Sequence, residues 1–372
     1  MKKTFILCVI ILLALLPLAV IVGCQQQAEP APTPAPAPPP TEPTPSQPEA
    51  SPPEQLSPPA FQLPDLIREF SKSTELISRR YSWQYGGKEW VWEMEIPQAL
   101  YDYYKKFPRP PTQNFSVYVT HPLDDTIIGN LVDEIERVAL REAFGELEKV
   151  EFVAAFVQSF PYTSDSVTTS YDEYPRYPIE TLVDSGGDCE DTSILIASLL
   201  NSMNYGVAII ILPDHSAVGV LGREGIYGSY YEYEGGKYYY LETTNTGWGI
   251  GEIPDEHKGA TANLYGMVPT PILTHTWEEG IGEGSILKLE VIVENLGTAA
   301  ADEVYAVAGF DAGEGKLWNA QESQPFELSV NENITIKFTL EAPTQKHTRL
   351  VVQIINDGHA VDESYSEWFD TQ

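Results

Sequence analysis

Between Gln25 and Pro64 the chain offers almost nothing that could be buried. It reads Gln-Gln-Gln-Ala-Glu-Pro-Ala-Pro-Thr-Pro-Ala-Pro-Ala-Pro-Pro-Pro and continues rich in proline. Proline fixes φ and lacks a backbone donor, so such a run enters neither helix nor sheet and favours extended polyproline II. At about 3 Å per residue, some 40 residues reach on the order of 100 Å. The segment predicts a stalk, and any folded part must come from residues 65–372. That length, with ordinary apolar content, is enough for two domains.

Ahead of the stalk stand Met1-Lys2-Lys3 and an uncharged apolar run from Thr4 to Cys24, interrupted by Pro17. Two lysines before such a run are an export signal, although an apolar segment of about 20 residues could also remain as a membrane span. Ile21-Val22-Gly23-Cys24 resembles the lipobox of bacterial lipoproteins. The resemblance implies a signal peptide over 1–23, a diacylglycerol on Cys24, a stalk over 24–64 and an extracytoplasmic, membrane-anchored protein. An uncleaved span from Phe5 to Gly23 would place the remainder on the same side.

Of the three cysteines, Cys8 falls in the signal and Cys24 carries lipid. That leaves Cys189 alone in the folded region with no partner for a disulfide. A lone thiol outside the cytoplasm is either a buried small hydrophobe or one kept for chemistry. The 54 acidic residues against 22 basic ones repel polyanions, which excludes a nucleic-acid partner. Because these charges are dispersed, they are read as solubility rather than as a binding patch.

Periodicity predicts a helix over 65–80 with Leu66, Phe70 and Ile77 on one side, and an alternating strand from Trp90 to Ile96. A short helix over 97–106, a strand-like Ser116–Thr120 and one or two helices between Asp124 and Phe160 complete a lead-in over 65–149. The sequence then becomes specific. Gly186-Gly187 forms a turn, Asp188 serves as N-cap with Asp191 three residues on, and an apolar helix follows, ending near Tyr205-Gly206. Cys189 thus falls in a first helical turn, where free N–H groups and the macrodipole are expected to stabilise a thiolate. Glu190 is read, like Asp191, as a dipole and cap partner. A strand from Val207 to Leu212 precedes His215, which opens a second strand. A hairpin turning at Gly235-Gly236 then returns through Tyr238–Leu241 to Glu242. A thiol nucleophile needs a base within hydrogen-bond reach and a third group to orient that base. Cys189, His215 and Glu242 supply those three types in order.

At these residues the chain resembles the transglutaminase-like superfamily, relatives of papain-type thiol enzymes. The match covers about residues 150–255 and is carried by Gly187-Asp188-Cys189-Glu190-Asp191 and by Pro178–Leu182. The resemblance implies Cys189 as nucleophile, His215 as general base and acid, and Glu242 as orienting carboxylate. Gly187, Asp188 and Asp191 would support the helix start. Glu242 departs from the usual Asp, and Asp214 is the fallback. The oxyanion hole would combine the Cys189 backbone N–H with an upstream donor, for which Tyr162 is the candidate. Trp248 is read as packing. No metal site is expected, since the remaining histidines are scattered without ligand spacing, and no cofactor is called for. From residue 272 short alternating strands such as Leu287–Val293 and Ile334–Leu340 resemble immunoglobulin-like surface modules of the CARDB type.

The expected fold class is therefore α+β: a papain-like core over 150–271 behind its helical lead-in, followed by an all-β sandwich over 272–372. The expected activity is thiol acyl transfer on peptide or isopeptide amides of a protein substrate. Two alternatives stand beside it, a protein-crosslinking transamidase and a non-catalytic module that binds a peptide or glycan. The sandwich would act as a spacer or bind a cell-wall or surface-protein ligand.

Overall fold

The computed structural model describes residues 53–56, 63–164, 174–280 and 284–372. Cys8, Cys24, the leader and most of the stalk lie outside the described residues. Among the described residues no helix is long and apolar enough to cross a membrane. Helices and antiparallel sheets are mixed, and residues 51–372 form one compact unit.

The lead-in differs from its expected form in two places. Only Leu63–Ser71 is helical, and Leu76–Tyr85 is a strand paired along its whole length with Lys88–Pro97 through a tight Gly86-Gly87 turn. Both glycines take positive φ, as a two-residue hairpin of this kind requires. The spacing of Leu66, Phe70 and Ile77 fits a helical face, but the alternation of the following residues wins once a partner strand is present. Ser116–Val119 is a helical turn rather than a strand, its start fixed by the Asn114 side chain, which accepts from the Ser116 N–H and hydroxyl at 3.2 and 2.6 Å.

The hairpin is no preface. Trp83 packs against Phe152 and Phe156 of the helix Glu146–Gln158, with ring centroids 5.5 and 5.0 Å away, and Trp92 reaches the same Phe156 at 5.1 Å. Aromatic pairs of this kind add about 0.5–1.5 kcal/mol each beyond the area they bury. The lead-in therefore shares one hydrophobic core, running from Phe70 to Ile250, with the helices and sheet that follow.

At the centre of that core lies the helix Cys189–Ser202. Ile194, Leu195, Ile196, Ala197, Leu199 and Leu200 are all fully buried. A helix apolar all round must be enclosed, and this one touches the helices Asp125–Glu142 and Glu146–Gln158 and the strand His215–Leu221. The sheet beside it has the order Tyr230–Tyr233, Gly236–Leu241, His215–Leu221, Val207–Leu212, Asn263–Gly266, all antiparallel.

A second core spans Leu273 to Ile354 and is made by two antiparallel sheets. One has Ile286–Asn295 between Asn333–Glu341 and the edge strand Leu273–Gly280. The other has Leu350–Asn356 between Ala301–Gly313 and the edge strand His359–Tyr365. Within the span expected to be stalk, Glu54–Leu56 pairs antiparallel with Thr335–Lys337. Three residues assigned to the tether are thus a sheet edge, because an open strand of unpaired N–H and C=O groups accepts any extended segment at hand.

Candidate functional site

The turn ahead of the central helix is dictated by crowding. A Cβ on Gly187 would lie 2.5 Å from the Asp191 Cβ, so only glycine fits. Its carbonyl accepts from Thr163 N–H at 2.9 Å, binding the 161–163 segment alongside as an isolated parallel bridge. Asp188 caps the helix, and Asp191 returns a carboxylate to the Asp188 N–H at 3.3 Å, completing a capping box. Asp191 also accepts from the Arg176 backbone at 2.7 Å and pairs with its buried guanidinium.

His215 opens its strand directly after a Pro213-Asp214 turn in which Asp214 takes φ 59°. Glu242 follows the last residue of the strand Gly236–Leu241. The structure brings these two together: His215 Nε2 lies 3.1 Å from Glu242 Oε2, and neither side chain has much solvent contact, 11% and 2% respectively. The longer Glu side chain therefore spans the distance, and it leaves no role at Nε2 for the fallback Asp214. Glu242 is held from several sides. Its Oε2 also accepts from the Tyr240 hydroxyl at 2.8 Å. Its Oε1 accepts from Thr243 and Thr244 N–H at 3.0 Å each and from the Thr244 hydroxyl at 2.8 Å. Burial alone would raise its pKa, but the His215 hydrogen bond and charge and the Thr244 donors outweigh it and hold the carboxyl at about 2.

Cys189 and His215 line one cleft of about 860 Å³, with Asp188, Glu190, Asp214, Tyr162 and a wall of Pro110, Pro111 and Phe115 among its other residues. The thiol's own hydrogen bond goes to Glu190 Oε2 at 3.3 Å, not to His215. Nδ1 of His215 makes no hydrogen bond among the described residues. Tyr162 lines the cleft and is 61% exposed. Trp248 lines a neighbouring cavity of about 580 Å³ beside Trp83 and Gln158.

The expected stabilised thiolate is corrected by the site's electrostatics. Burial pushes the Cys189 thiol well above its usual range, the Glu190 and Asp188 carboxylates add to that, and the Ser216 backbone N–H opposes it. Burial is the largest cause, and the carboxyls of Glu190 in the first turn and of the N-cap Asp188 work against the stabilisation that the helix start would otherwise give a thiolate. Glu190 is itself pushed up to about 8 by burial and by Asp188.

Sequence reasoning missed the residues that join helix to sheet here. Thr243 Oγ1 meets Thr192 Oγ1 and Ser193 Oγ at 3.0 Å each, and Gln158 Nε2 donates to the Glu242 carbonyl at 2.8 Å. Tyr240 alone carried a signal, since residues two apart on a strand share a face. The described residues hold no group of three or more His, Cys, Asp or Glu side chains arranged for a metal ion.

No family model matches the chain, and no curated protein does. Among solved structures, the CARDB domain of a Pyrococcus furiosus protein in complex with di-metal ions is similar at 18% identity and a TM-score of 0.20. That likeness covers 27% of this chain and 86% of that one. Calcium-bound LapG of Legionella pneumophila is similar at 19% identity and a TM-score of 0.22, covering 36% and 86%. The β-glucosidase 3B of Thermotoga neapolitana is similar at 13% identity and a TM-score of 0.18, covering 27% and 17%. At TM-scores this low none of these likenesses carries an argument, and what the site can do rests on its own geometry.

Proposed function

We propose that the protein is a thiol acyl-transfer enzyme that hydrolyses peptide or isopeptide amides. The observation that carries this reading is a histidine whose Nε2 is committed to a buried carboxylate while its Nδ1 makes no hydrogen bond among the described residues, in the same cleft as the Cys189 thiol. Glu242 orients the ring and offsets the charge it acquires. Cys189 Sγ attacks the amide carbonyl as its proton passes to Nδ1, and the resulting oxyanion is met by the Cys189 N–H with a donor from the Tyr162 segment. The imidazolium protonates the leaving amine as the C–N bond breaks. Water then attacks the thioester, giving up its proton to Nδ1, and releases the carboxylate and the thiol.

Because the site raises the thiol's pKa, the proton transfer has to accompany attack rather than precede it. The same feature favours a second reading, a non-catalytic module binding a peptide or glycan in the proline-walled cleft. Incubating the full chain with an unfolded protein and sequencing new N-termini separates the two. Hydrolysis yields new termini that vanish in Cys189→Ala, transamidation yields isopeptide-linked products, and neither product would leave the binding module.

In this reading the sandwich, proposed as residues 272–372, spaces the cleft or engages a wall or surface ligand, and lipidated Cys24 holds the protein at the membrane. Cys24→Ala should move it from the detergent phase to the aqueous phase. Retention in the membrane would instead identify Phe5–Gly23 as an uncleaved span.

A further inference from the structure

The base of the proposed triad has a neighbour that the chemistry above does not use. The His257 ring lies flat on that of His215, centroids 4.4 Å apart and planes 3° from parallel. We propose that His257 is a positioning residue: it covers one face of the His215 imidazole and holds it in the plane where Nε2 meets Glu242, with Nδ1 left without a hydrogen bond among the described residues beside the cleft that Cys189 also lines. This rests on the thiol-enzyme reading.

A stacked ring positions its neighbour only if it is itself held, and His257 is held from both sides. It ends a single helical turn, Asp255–His257, closed by its own N–H on the Pro254 carbonyl at 3.0 Å. Before the turn, Ile253 is buried against Ile210, Leu212, Ala217 and Tyr240. After it, the Ala260 carbonyl accepts from the Tyr231 hydroxyl at 3.2 Å. This loop approaches the segment just before the strand Tyr230–Tyr233 closely enough to exclude a side chain. Gly251 takes φ +85°, and a Cβ there would meet the Tyr227 carbonyl oxygen at 1.9 Å.

One residue registers the loop against the carboxylate. The Tyr240 carbonyl accepts from Gly251 N–H at 2.6 Å, fixing the loop that carries His257, while the Tyr240 hydroxyl donates to Glu242 Oε2 at 2.8 Å. The stack and the His215–Glu242 bond are thus referred to the same strand residue. Tipping the ring out of plane would weaken that bond and swing Nδ1 away, and an open face would admit water to compete for Glu242.

The test is the rate at which iodoacetamide alkylates Cys189 at pH 8, read by mass spectrometry of the Cys189 peptide from the full chain. Five forms are compared: wild type, His257→Ala, His257→Phe, His215→Ala and the His215→Ala/His257→Ala double variant. His257→Ala should slow labelling roughly fivefold to tenfold, the scale of one lost stacking contact. His257→Phe, which restores the cover without a ring nitrogen, should return the rate to within about twofold of wild type. In the His215→Ala background the His257→Ala change should have no further effect, since a residue acting through another couples to it fully. A slow His215→Ala with an unaltered His257→Ala would overturn the positioning role and leave the enzyme reading standing. So would equal slowing by His257→Ala in both backgrounds, or failure of phenylalanine to rescue. An unaltered His215→Ala would instead remove the enzyme reading, and the proposal with it.

Discussion

Two histidine–carboxylate pairs, 3.1 and 2.7 Å long, sit in the two cores, and their surroundings differ. In the sandwich, His275 Nδ1 meets Asp362 Oδ2 at 2.7 Å, and its Nε2 meets Ser364 Oγ at 2.6 Å. The order Asp–His–Ser looks like a nucleophile with its base. But Ser364 also accepts from Trp277 Nε1 at 2.7 Å, Asp362 also accepts from the His275 N–H at 2.8 Å, and the His275 side chain is 1% exposed. Leu273–Gly280 and His359–Tyr365 are the edge strands of the two sheets, so the network is a seam that closes the side of the sandwich and satisfies both edges. In the other core, His215 bonds Glu242 through one nitrogen, makes no hydrogen bond through the other among the described residues, and lines a cleft that a thiol also lines. A histidine bound to a carboxylate is therefore not chemistry in itself. What separates a base from a seam is an uncommitted ring nitrogen and something for it to act on.

Breaking the seam should have the largest effect on stability. His275→Ala removes the group that Asp362 and Ser364 both bond, and is expected to cost about 2–4 kcal/mol in the unfolding of the sandwich, measured by denaturant titration. The labelling rate of Cys189 should stay at the wild-type value. Loss of Cys189 reactivity in folded His275→Ala would show that the two regions do not divide the work in this way.

Glu242→Gln should be the next largest. The folded carboxyl is held at about 2, below its ordinary value of 4.5. Its contribution to stability is therefore fully present above about pH 4.5 and is lost as pH falls toward about 2. In acid-unfolding curves the variant should lack that part of the decline. The same variant should slow Cys189 alkylation by less than His215→Ala does, because Gln can still touch Nε2 while the charge that favours the imidazolium is gone. An acid profile identical to wild type would mean that the pair is not ionised in the folded protein.

Glu190→Gln is expected to act in the opposite direction and more weakly. Removing a carboxyl 3.3 Å from Sγ takes away part of the field that keeps the thiol protonated. Because Glu190 itself ionises only near pH 8, labelling at pH 7 should change little, while above about pH 8 it should rise by roughly threefold to tenfold and the midpoint of the alkylation–pH curve should move down. A midpoint that moved up would show that Glu190 serves the sulfur as a hydrogen-bond donor instead.

These outcomes bear on what the sequence could and could not convey. The turn before Cys189 was legible because capping is local: two glycines, an N-cap Asp and a second Asp three residues later act within one helical turn. The hairpin of the lead-in was not, since the Leu76–Tyr85 strand is decided by its pairing with Lys88–Pro97 rather than by its own spacing. The order Cys189, His215, Glu242 could be read along the chain, but of the five donors that fix Glu242 the one from His215 is brought by the fold, while those of Tyr240, Thr243 and Thr244 lie within two residues of it and are aimed by the way the chain leaves its strand. For the thiol, the macrodipole argument counted backbone groups and gave too little weight to Glu190 and Asp188, both visible in the sequence; the burial that outweighs them was not visible. Nothing local marked His257, because a stack between a strand end and a distant helical turn leaves no periodicity to read.

The central claim is that His215, and not His275, is a working base for Cys189. The direct measurement is the iodoacetamide rate of Cys189 from pH 6 to pH 10 in wild type, His215→Ala and His275→Ala. The account expects His275→Ala to follow wild type and His215→Ala to fall by on the order of 100-fold at neutral pH, the usual size of a positioned base's contribution. Three superimposable curves in folded proteins, all rising only where a buried, unassisted thiol ionises, would contradict it.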